Sequence, residues 1–132
     1  MAYKHAVVWM DHQHATIIGF SADDHHVAKL RLNESRHSHH RSESVPWGHS
    51  PEELRFLEDV VAAIGATVEV VVAGPGTAKG AFVRHVEHKH PTLRARILAV
   101  ETLDHPSDRE LLAFARTEFR RIDALLGDAP PG

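Results

Sequence analysis

A strand–turn–helix stretch in the middle of the sequence limits the possible folds more than any other feature. It comprises the apolar, β-branched run 67–73, the glycine-rich turn 74–80, and a helix that carries Phe82 and Val86 on its core face and ends at Pro91. A buried strand that leads directly into a turn and a helix is typical of α/β domains, in which the helix packs back onto a sheet.

Further strands are predicted on both sides of this stretch. Three extended segments, 5–10, 15–20 and 27–32, open the chain, and the short polar connections between them favour an antiparallel meander. Another strand is predicted over 97–103.

Two Ser-x-x-Glu patterns predict the beginnings of two further helices. Ser50 caps the first, which spans 51–64, and Ser107 caps a C-terminal helix that runs to about Leu126. Four apolar residues at helical spacing are predicted to form the core face of the first helix: Leu54, Leu57, Val61 and Ile64.

The predicted order of elements is therefore β-β-β-α-β-α-β-α. A meander followed by two right-handed βα crossovers gives a five-stranded mixed sheet with helices on both faces, the ribonuclease H-like arrangement. We expect one domain over residues 1–127 and a flexible tail over 128–132, which contains two prolines and a glycine.

Composition excludes several classes of protein. The 132-residue chain has no cysteine, which rules out disulfides, thiolate zinc sites and cysteine nucleophiles. Its apolar runs are far shorter than the ~20 residues that span a bilayer, and its first residues lack a signal-peptide pattern, so a soluble, cytoplasmic protein is expected. The net charge of −3 does not by itself indicate nucleic-acid binding.

Charge is nevertheless unevenly distributed along the chain. Residues 79–96 contain five lysines and arginines against Glu87 alone, a local charge of +4. The five cations are Lys79, Arg84, Lys89, Arg94 and Arg96.

Histidine is also concentrated, with nine of the 13 histidines between His5 and His49. The polar segment 33–50 is predicted to be a long exposed loop, and its run Arg36-His37-Ser38-His39-His40-Arg41 is compatible with either metal or nucleic acid. A His-x-His pair with His40 or His49 would give a metal three ligands, but no established metal-site motif occurs, so a metal remains an open question.

The turn 74–80 has two interpretations. Either its glycines form a tight turn with Thr77 as the helix cap, or Gly76, Thr77 and Lys79 form a weak anion site at the start of a helix. The turn matches neither the Walker nor the dinucleotide pattern, so no nucleotide cofactor is predicted.

An enzymatic alternative comes from acidic residues. Ribonuclease H-like folds hold metal ions between carboxylates, and Asp11, Glu58 and Asp104 occupy comparable places on the first strand, the first helix and the last strand. The strand that ends at Ala73 has no such carboxylate, and solvated surface acids are the simpler explanation of the same residues. A metal-dependent hydrolase or phosphoryl-transfer enzyme is therefore the alternative function.

Three motifs carry a resemblance to a known family. They are the hairpin opening 7–11 (Val-Val-Trp-Met-Asp), the strand–turn–helix 71–79 (Val-Val-Ala-Gly-Pro-Gly-Thr-Ala-Lys) and the segment 100–106 (Val-Glu-Thr-Leu-Asp-His-Pro). With them, nearly the whole chain resembles the middle domain of the archaeal and eukaryotic peptide release factor and its relative pelota. It resembles most closely the small bacterial proteins called translational machinery proteins.

The resemblance implies a ribonuclease H-like fold and a role in translation. In the release factor, the loop after the third strand carries the Gly-Gly-Gln tripeptide that promotes peptidyl-tRNA hydrolysis, whereas the matching loop 33–50 has no glutamine and only Gly48. We therefore expect a non-enzymatic domain without a cofactor that binds the ribosome or structured RNA. The expected RNA-facing residues are Arg36, His37, His39, His40, Arg41, Lys79, Arg84, Lys89, Arg94 and Arg96.

Overall fold

The computed structural model describes residues 3–33 and 46–127 of the chain. Its strands are β1 (His5–Met10), β2 (His14–Phe20), β3 (His25–Arg31), β4 (Glu69–Gly74) and β5 (Ile97–Thr102). Its helices are α1 (Pro51–Ile64), α2 (Ala78–Lys89), α3 (Pro91–Arg94) and α4 (Asp108–Leu125). The predicted order is confirmed, with one addition: Pro91 ends α2 and also begins the short helix α3, because proline fits the first position of a helix.

The five strands form one mixed sheet in the order β3-β2-β1-β4-β5. The β1–β2 and β2–β3 pairs are antiparallel, and the β1–β4 and β4–β5 pairs are parallel. This arrangement confirms the predicted fold class, a five-stranded mixed sheet with helices on both faces.

Each face of the sheet has its own apolar core. On one face α1 and α2 pack through Phe56 and Phe82, and on the other face α4 packs through Leu111 and Phe119. β4 supplies both cores, since its alternate residues point to opposite faces and Val70–Ala73 are fully buried.

The predicted core face of α1 is partly wrong. Leu57 and Ile64 are buried as expected, but Phe56 and Val60 complete the buried stripe, and Leu54 is 38% exposed. The predicted residues and the buried residues both have helical spacing. The set with Phe56 is the buried one because the large Phe56 ring fills the space under the sheet next to Trp47.

Four connections meet at one edge of the sheet. Because β1, β3, β4 and β5 are mutually parallel, the segments that follow them lie at the same end, together with the first residues of α1, α2 and α4. We call this end the carboxyl edge. At this edge Gly74 approaches β1 so closely that a Cβ atom on it would lie 2.1 Å from the carbonyl oxygen of Met10.

Candidate functional site

The turn between β1 and β2 is held by the side chain of Asp11. Its Oδ1 accepts hydrogen bonds from the backbone N–H groups of Gln13 (2.8 Å) and His14 (2.7 Å). Burial raises the pKa of Asp11, but these hydrogen bonds outweigh burial and hold its pKa below the usual range. Asp11 is therefore an ionised structural group of the turn.

His105 joins Asp11 to Asp104 across the carboxyl edge. Its Nδ1 lies 2.8 Å from Asp104 Oδ1 and its Nε2 lies 3.5 Å from Asp11 Oδ2, while the ring packs 4.9 Å from that of Trp9. The hydrogen bond with Asp104 is the largest cause of a raised His105 pKa. The two ring nitrogens of His105 face two different carboxylates, so the three residues form two separate ionic contacts. Their ligand atoms do not surround one point, as the ligands of a metal ion would.

The third acid of the enzymatic alternative lies elsewhere. Glu58 is in the second turn of α1, and its Oε2 contacts His85 Nε2 and His90 Nε2. Within residues 3–33 and 46–127, Asp11, Glu58 and Asp104 do not converge on a common point. The geometry expected for a carboxylate metal site of the ribonuclease H-like type is therefore not formed by these three residues.

The glycine-rich turn before α2 places Thr77 at the N-cap position of the helix, as predicted. Thr77 has helical backbone angles (φ −90°, ψ −10°), however, and its side chain caps no amide. Its Oγ1 lies instead 3.1 Å from His12 Nε2. Lys79 folds back to donate to the carbonyl of Gly76 at 2.5 Å, and Gly76 does not have a positive φ.

The chain enters α1 through a tightly held segment. Gly48 is buried with φ +107°, and its N–H donates to Glu53 Oε1 at 2.7 Å. The same oxygen accepts from the N–H of Ser50, which completes the predicted capping box. Residues 46–50 therefore form a fixed wall beside α1 and α2, with Trp47 packed on Phe56.

A groove of about 530 Å³ lies between this wall and α2, and we call it the α1–α2 groove. Its apolar parts come from Trp47, Leu54 and Ala81, and its cations from Arg84 and Lys89. Histidines complete the lining together with Gly48: His49, His85 and His88. The exposed Leu54, which the predicted α1 pattern assigned to the core, is thus part of this groove.

The predicted basic stripe divides into two groups. Arg94 pairs with Glu87 at 3.1 Å and donates to the Ile97 carbonyl, and Arg96 donates to the Thr67 carbonyl at 3.5 Å. The side chains of Arg84 and Lys89, by contrast, form no ion pair or hydrogen bond with any residue of the described ranges. These two groove cations are the members of the stripe whose charge is most available to a ligand.

The groove continues toward the turn before α2. The His12 ring lies 5.0 Å from that of Trp47, and its Nε2 contacts Thr77, so His12 links the groove to the turn that contains Lys79. The predicted site residues of the polar loop, Arg36, His37, His39, His40 and Arg41, lie outside the described residues, which end at Asn33 and resume at Pro46.

Some residues of the α1–α2 groove are not among the binding residues predicted from the sequence. Trp47 was recognisable as a large apolar residue in an otherwise polar segment, and His85 follows Ala81 by four positions, which places both on one side of α2. The spacing alone did not reveal the groove, since it depends on how residues 46–49 return against α2.

Comparisons with known proteins add information about the fold. The chain matches no protein-family model and no curated protein. Its structure is similar to that of Archaeoglobus fulgidus pelota, with a TM-score of 0.62 and 16% identity. It is also similar to S. cerevisiae Dom34, described as a translation termination-like factor involved in RNA quality control pathways (TM-score 0.59, 8% identity), and to the archaeal translation termination factor aRF1 (0.54, 17%).

The similarity covers nearly all of this chain but a minor part of each relative. It spans 94–95% of this chain, 33% of the pelota, 38% of the Dom34 and 42% of the aRF1. At these identities the comparison establishes a shared fold, and this chain spans less than half the length of each of the three proteins. Across residues 3–33 and 46–127, none of the helices is long and apolar enough to cross a membrane.

Proposed function

We propose that this chain is a non-enzymatic, translation-associated domain that binds the ribosome or structured RNA through the α1–α2 groove. The observation that carries the proposal is the pair of unpaired groove cations, Arg84 and Lys89, beside the half-buried ring of Trp47. The bacterial translational machinery proteins that the sequence resembles are the family to which we assign it.

The groove has the chemistry that unpaired nucleotides require. Lysine and arginine neutralise backbone phosphates, and an aromatic ring at the same site accepts a stacked base. Arg84 is exposed and lies in the groove with Trp47, whereas a purely apolar groove would favour a protein segment. The lining of the α1–α2 groove therefore favours unpaired nucleotides, which carry both phosphates and bases, over a peptide.

Two further regions extend this surface in the proposal. The Gly76–Lys79 turn reaches the groove through His12, and a weak phosphate contact there would use Lys79 and the first amides of α2. The loop with Arg36 to Arg41 leaves the described part of the chain at Asn33 and returns at Pro46, next to Trp47. Its arginines and histidines would add phosphate contacts.

The names of the similar structures support the translational context. They include archaeal translation termination factor aRF1 and a model of ribosome-bound archaeal pelota with ABCE1. The loop 33–50 has no Gly-Gly-Gln sequence, so we expect binding without peptidyl-tRNA hydrolysis.

Sedimentation with ribosomes at a series of salt concentrations tests the proposal. Arg84→Ala/Lys89→Ala should weaken binding and reduce the slope of log K against log salt by ~1.4, as expected when two phosphate contacts are lost. The matched control is Arg109→Ala/Arg120→Ala, which removes the same charge from exposed positions of α4 on the other face. Equal weakening by both pairs, or no sedimentation at low salt, would contradict the proposal.

Replacement of residues 34–45 by a Gly-Ser linker tests the role of the loop. The ends of the replaced segment lie next to residues fixed by the described structure, so the melting temperature should change little. Ribosome binding should decrease because the linker removes Arg36 and Arg41 together with three histidines.

A further inference from the structure

Three metal-ligating side chains converge on the outer surface of α1 and α2. Glu58 projects from α1, His85 from α2, and His90 follows the last residue of α2. The two Nε2 atoms lie 2.5 Å and 2.7 Å from the same carboxylate oxygen, Oε2 of Glu58. One ligand atom from each residue falls within 4.8 Å of the other two.

The backbone holds these side chains in position. The N–H of His90 donates to the Val86 carbonyl at 2.7 Å, and its own carbonyl accepts from Arg94 at 3.0 Å, so His90 is fixed between α2 and α3. The His85 side chain is 9% exposed and has little freedom to turn away. Glu58 is 49% exposed, which leaves the cluster open to solvent on one side.

We infer that Glu58, His85 and His90 form a binding site for a divalent transition-metal ion, with Zn²⁺ as the best match. Two imidazole nitrogens and one carboxylate oxygen are a ligand set that zinc uses when one coordination position stays open to water. The ion would link α1 to the end of α2 beside the α1–α2 groove, which His85 and Lys89 also line.

The observed distances are close to those that a bound ion requires. Metal–ligand bonds of about 2.0–2.1 Å in a tetrahedron separate ligand atoms by about 3.3 Å, so each histidine needs to move away from Glu58 by only ~0.6–0.8 Å. In the ion-free form both Nε2 atoms donate to the carboxylate. To bind the ion, each ring must be a neutral imidazole with its single proton on Nδ1 and the lone pair of Nε2 facing the metal. A neutral ring reaches this form by exchanging its Nε2 proton for one on Nδ1 through solvent, and a doubly protonated ring releases its Nε2 proton to solvent.

Charges around the site set its selectivity and affinity. Glu58 neutralises one of the two charges of the ion, whereas Arg84 and Lys89 in the adjoining groove repel it. Imidazole ligands favour Zn²⁺, Cu²⁺ and Ni²⁺ over Mg²⁺ and Ca²⁺, which prefer oxygen. We therefore expect micromolar binding of Zn²⁺ and no competition by Mg²⁺.

The test must separate this site from the histidines of the loop. The background protein is the full chain with His37→Ser, His39→Ser and His40→Ser, treated with a chelator and titrated with Zn²⁺ by calorimetry at pH 7.5. It should bind one Zn²⁺ per chain and melt at a higher temperature with Zn²⁺, because the ion binds only the folded state.

Variants on this background locate the ion. Glu58→Gln, an exposed and nearly isosteric change that leaves the fold intact, should weaken binding at least ~10-fold, as should His90→Gln. His88→Gln, an exposed change on the same helix, should leave it unchanged. In the nitrogen NMR spectrum, Zn²⁺ should shift the Nε2 resonances of His85 and His90.

Two results would overturn the inference. One is a background protein that no longer binds Zn²⁺, which would assign the binding to the loop histidines. The other is equal affinity in the background protein and in Glu58→Gln. Neither result bears on ribosome binding by the groove, because the sedimentation experiment changes different residues.

Discussion

The arginines of α4 and the cations of α2 occupy similar exposed helices on opposite faces of the sheet, but their surroundings differ. On α4, Arg116 donates to the Ser21 carbonyl at 2.9 Å and lies over the Phe20 ring, and Arg121 pairs with Glu118 at 2.6 Å. On α2, Arg84 and Lys89 face a groove and have no partner among the residues that the structure describes.

The sheet thus has a structural face, packed by α4, and a binding face, packed by α1 and α2. Cations at the edge of a core, such as Arg116 and Arg121, have hydrogen-bond or ion-pair partners within the fold. These contacts contribute to stability and make the charge less available to a ligand. Cations without such partners contribute little to stability, and their charge remains available. The proposed RNA surface rests on the second group, and two other exposed arginines of α4, Arg109 and Arg120, supply the control of equal charge.

We expect the largest loss of stability from a substitution at Gly74, in β4, the strand that supplies both apolar cores. A Cβ at Gly74 would lie 2.1 Å from the Met10 carbonyl oxygen, so Gly74→Ala forces β4 away from β1 and should lower the free energy of unfolding by about 3 kcal/mol or more. Gly76→Ala, with no atom within 4 Å of the new Cβ, should change it by less than about 0.5 kcal/mol. Urea unfolding measures both, and a tolerated Gly74→Ala would show that β4 is not rigidly seated.

The two tryptophans extend the comparison with a smaller effect. Trp9, on the α4 side, is 6% exposed, and its Nε1 donates to the carbonyls of Leu103 (3.1 Å) and Asp104 (2.9 Å). Trp9→Phe removes the donor and should lower the free energy of unfolding by about 1–3 kcal/mol. Trp47→Phe should lower it by about 1 kcal/mol or less, because Trp47 is half-buried and mainly contacts rings.

Chemical denaturation of Trp9→Phe and Trp47→Phe tests this prediction. An equal decrease in the free energy of unfolding in both variants would contradict it. Since the chain has two tryptophans, Trp9→Phe also leaves Trp47 as the sole indole fluorophore. Its emission then reports directly on ligands that enter the α1–α2 groove.

The elements of the fold were predictable because local and global signals agree. Both capping boxes, at Ser50 and Ser107, are formed as the pattern predicts, and the apolar run that ends at Ala73 is a strand buried on both faces. The core face of α1 was less predictable, since two overlapping sets of apolar residues have helical spacing and packing against the sheet selects Phe56 over Leu54.

The candidate site was less predictable than the fold because it depends on long-range contacts. Glu58 was recognised as an acid on the first helix, but its partners, His85 and His90, are 27 and 32 residues away and meet it only when α1 and α2 pack together. Arg94 and Arg84 likewise belong to one group by charge, and the contacts of Arg94 with Glu87 and with the Ile97 carbonyl distinguish them only in the folded chain.

The arginine comparison is tested directly by a pair of alanine substitutions. Arg116→Ala loses a hydrogen bond to the Ser21 carbonyl and a cation–π contact with Phe20 at 5.2 Å, and should lower the free energy of unfolding by about 1–2 kcal/mol. Arg84→Ala should change it by less than about 0.5 kcal/mol. Thermal and urea unfolding measure both, and a destabilising Arg84→Ala would mean that this arginine supports the fold.

We expect the smallest change in the free energy of unfolding from the protonation of His105, at the carboxyl edge before α4. Hydrogen bonding to Asp104, then to Asp11, raises the pKa of His105, so the folded state binds this proton more tightly than the unfolded chain does. The resulting stabilisation is complete below the unfolded histidine pKa of about 6.5 and is lost as pH rises through the raised value. The two carboxylates have lowered pKa values and act oppositely, since their contribution is lost as pH falls through the acid range.

Urea unfolding of wild type and His105→Gln between pH 6 and 8.5 isolates the histidine. The stability advantage of wild type over His105→Gln should shrink as pH rises, because the imidazolium loses the charge that both carboxylates attract. Asp104→Asn, which removes the largest cause of the raised pKa, should reduce the same pH dependence while His105 is still present. If the difference between wild type and His105→Gln is independent of pH, the ring acts at this edge through its packing on Trp9 and not through its charge.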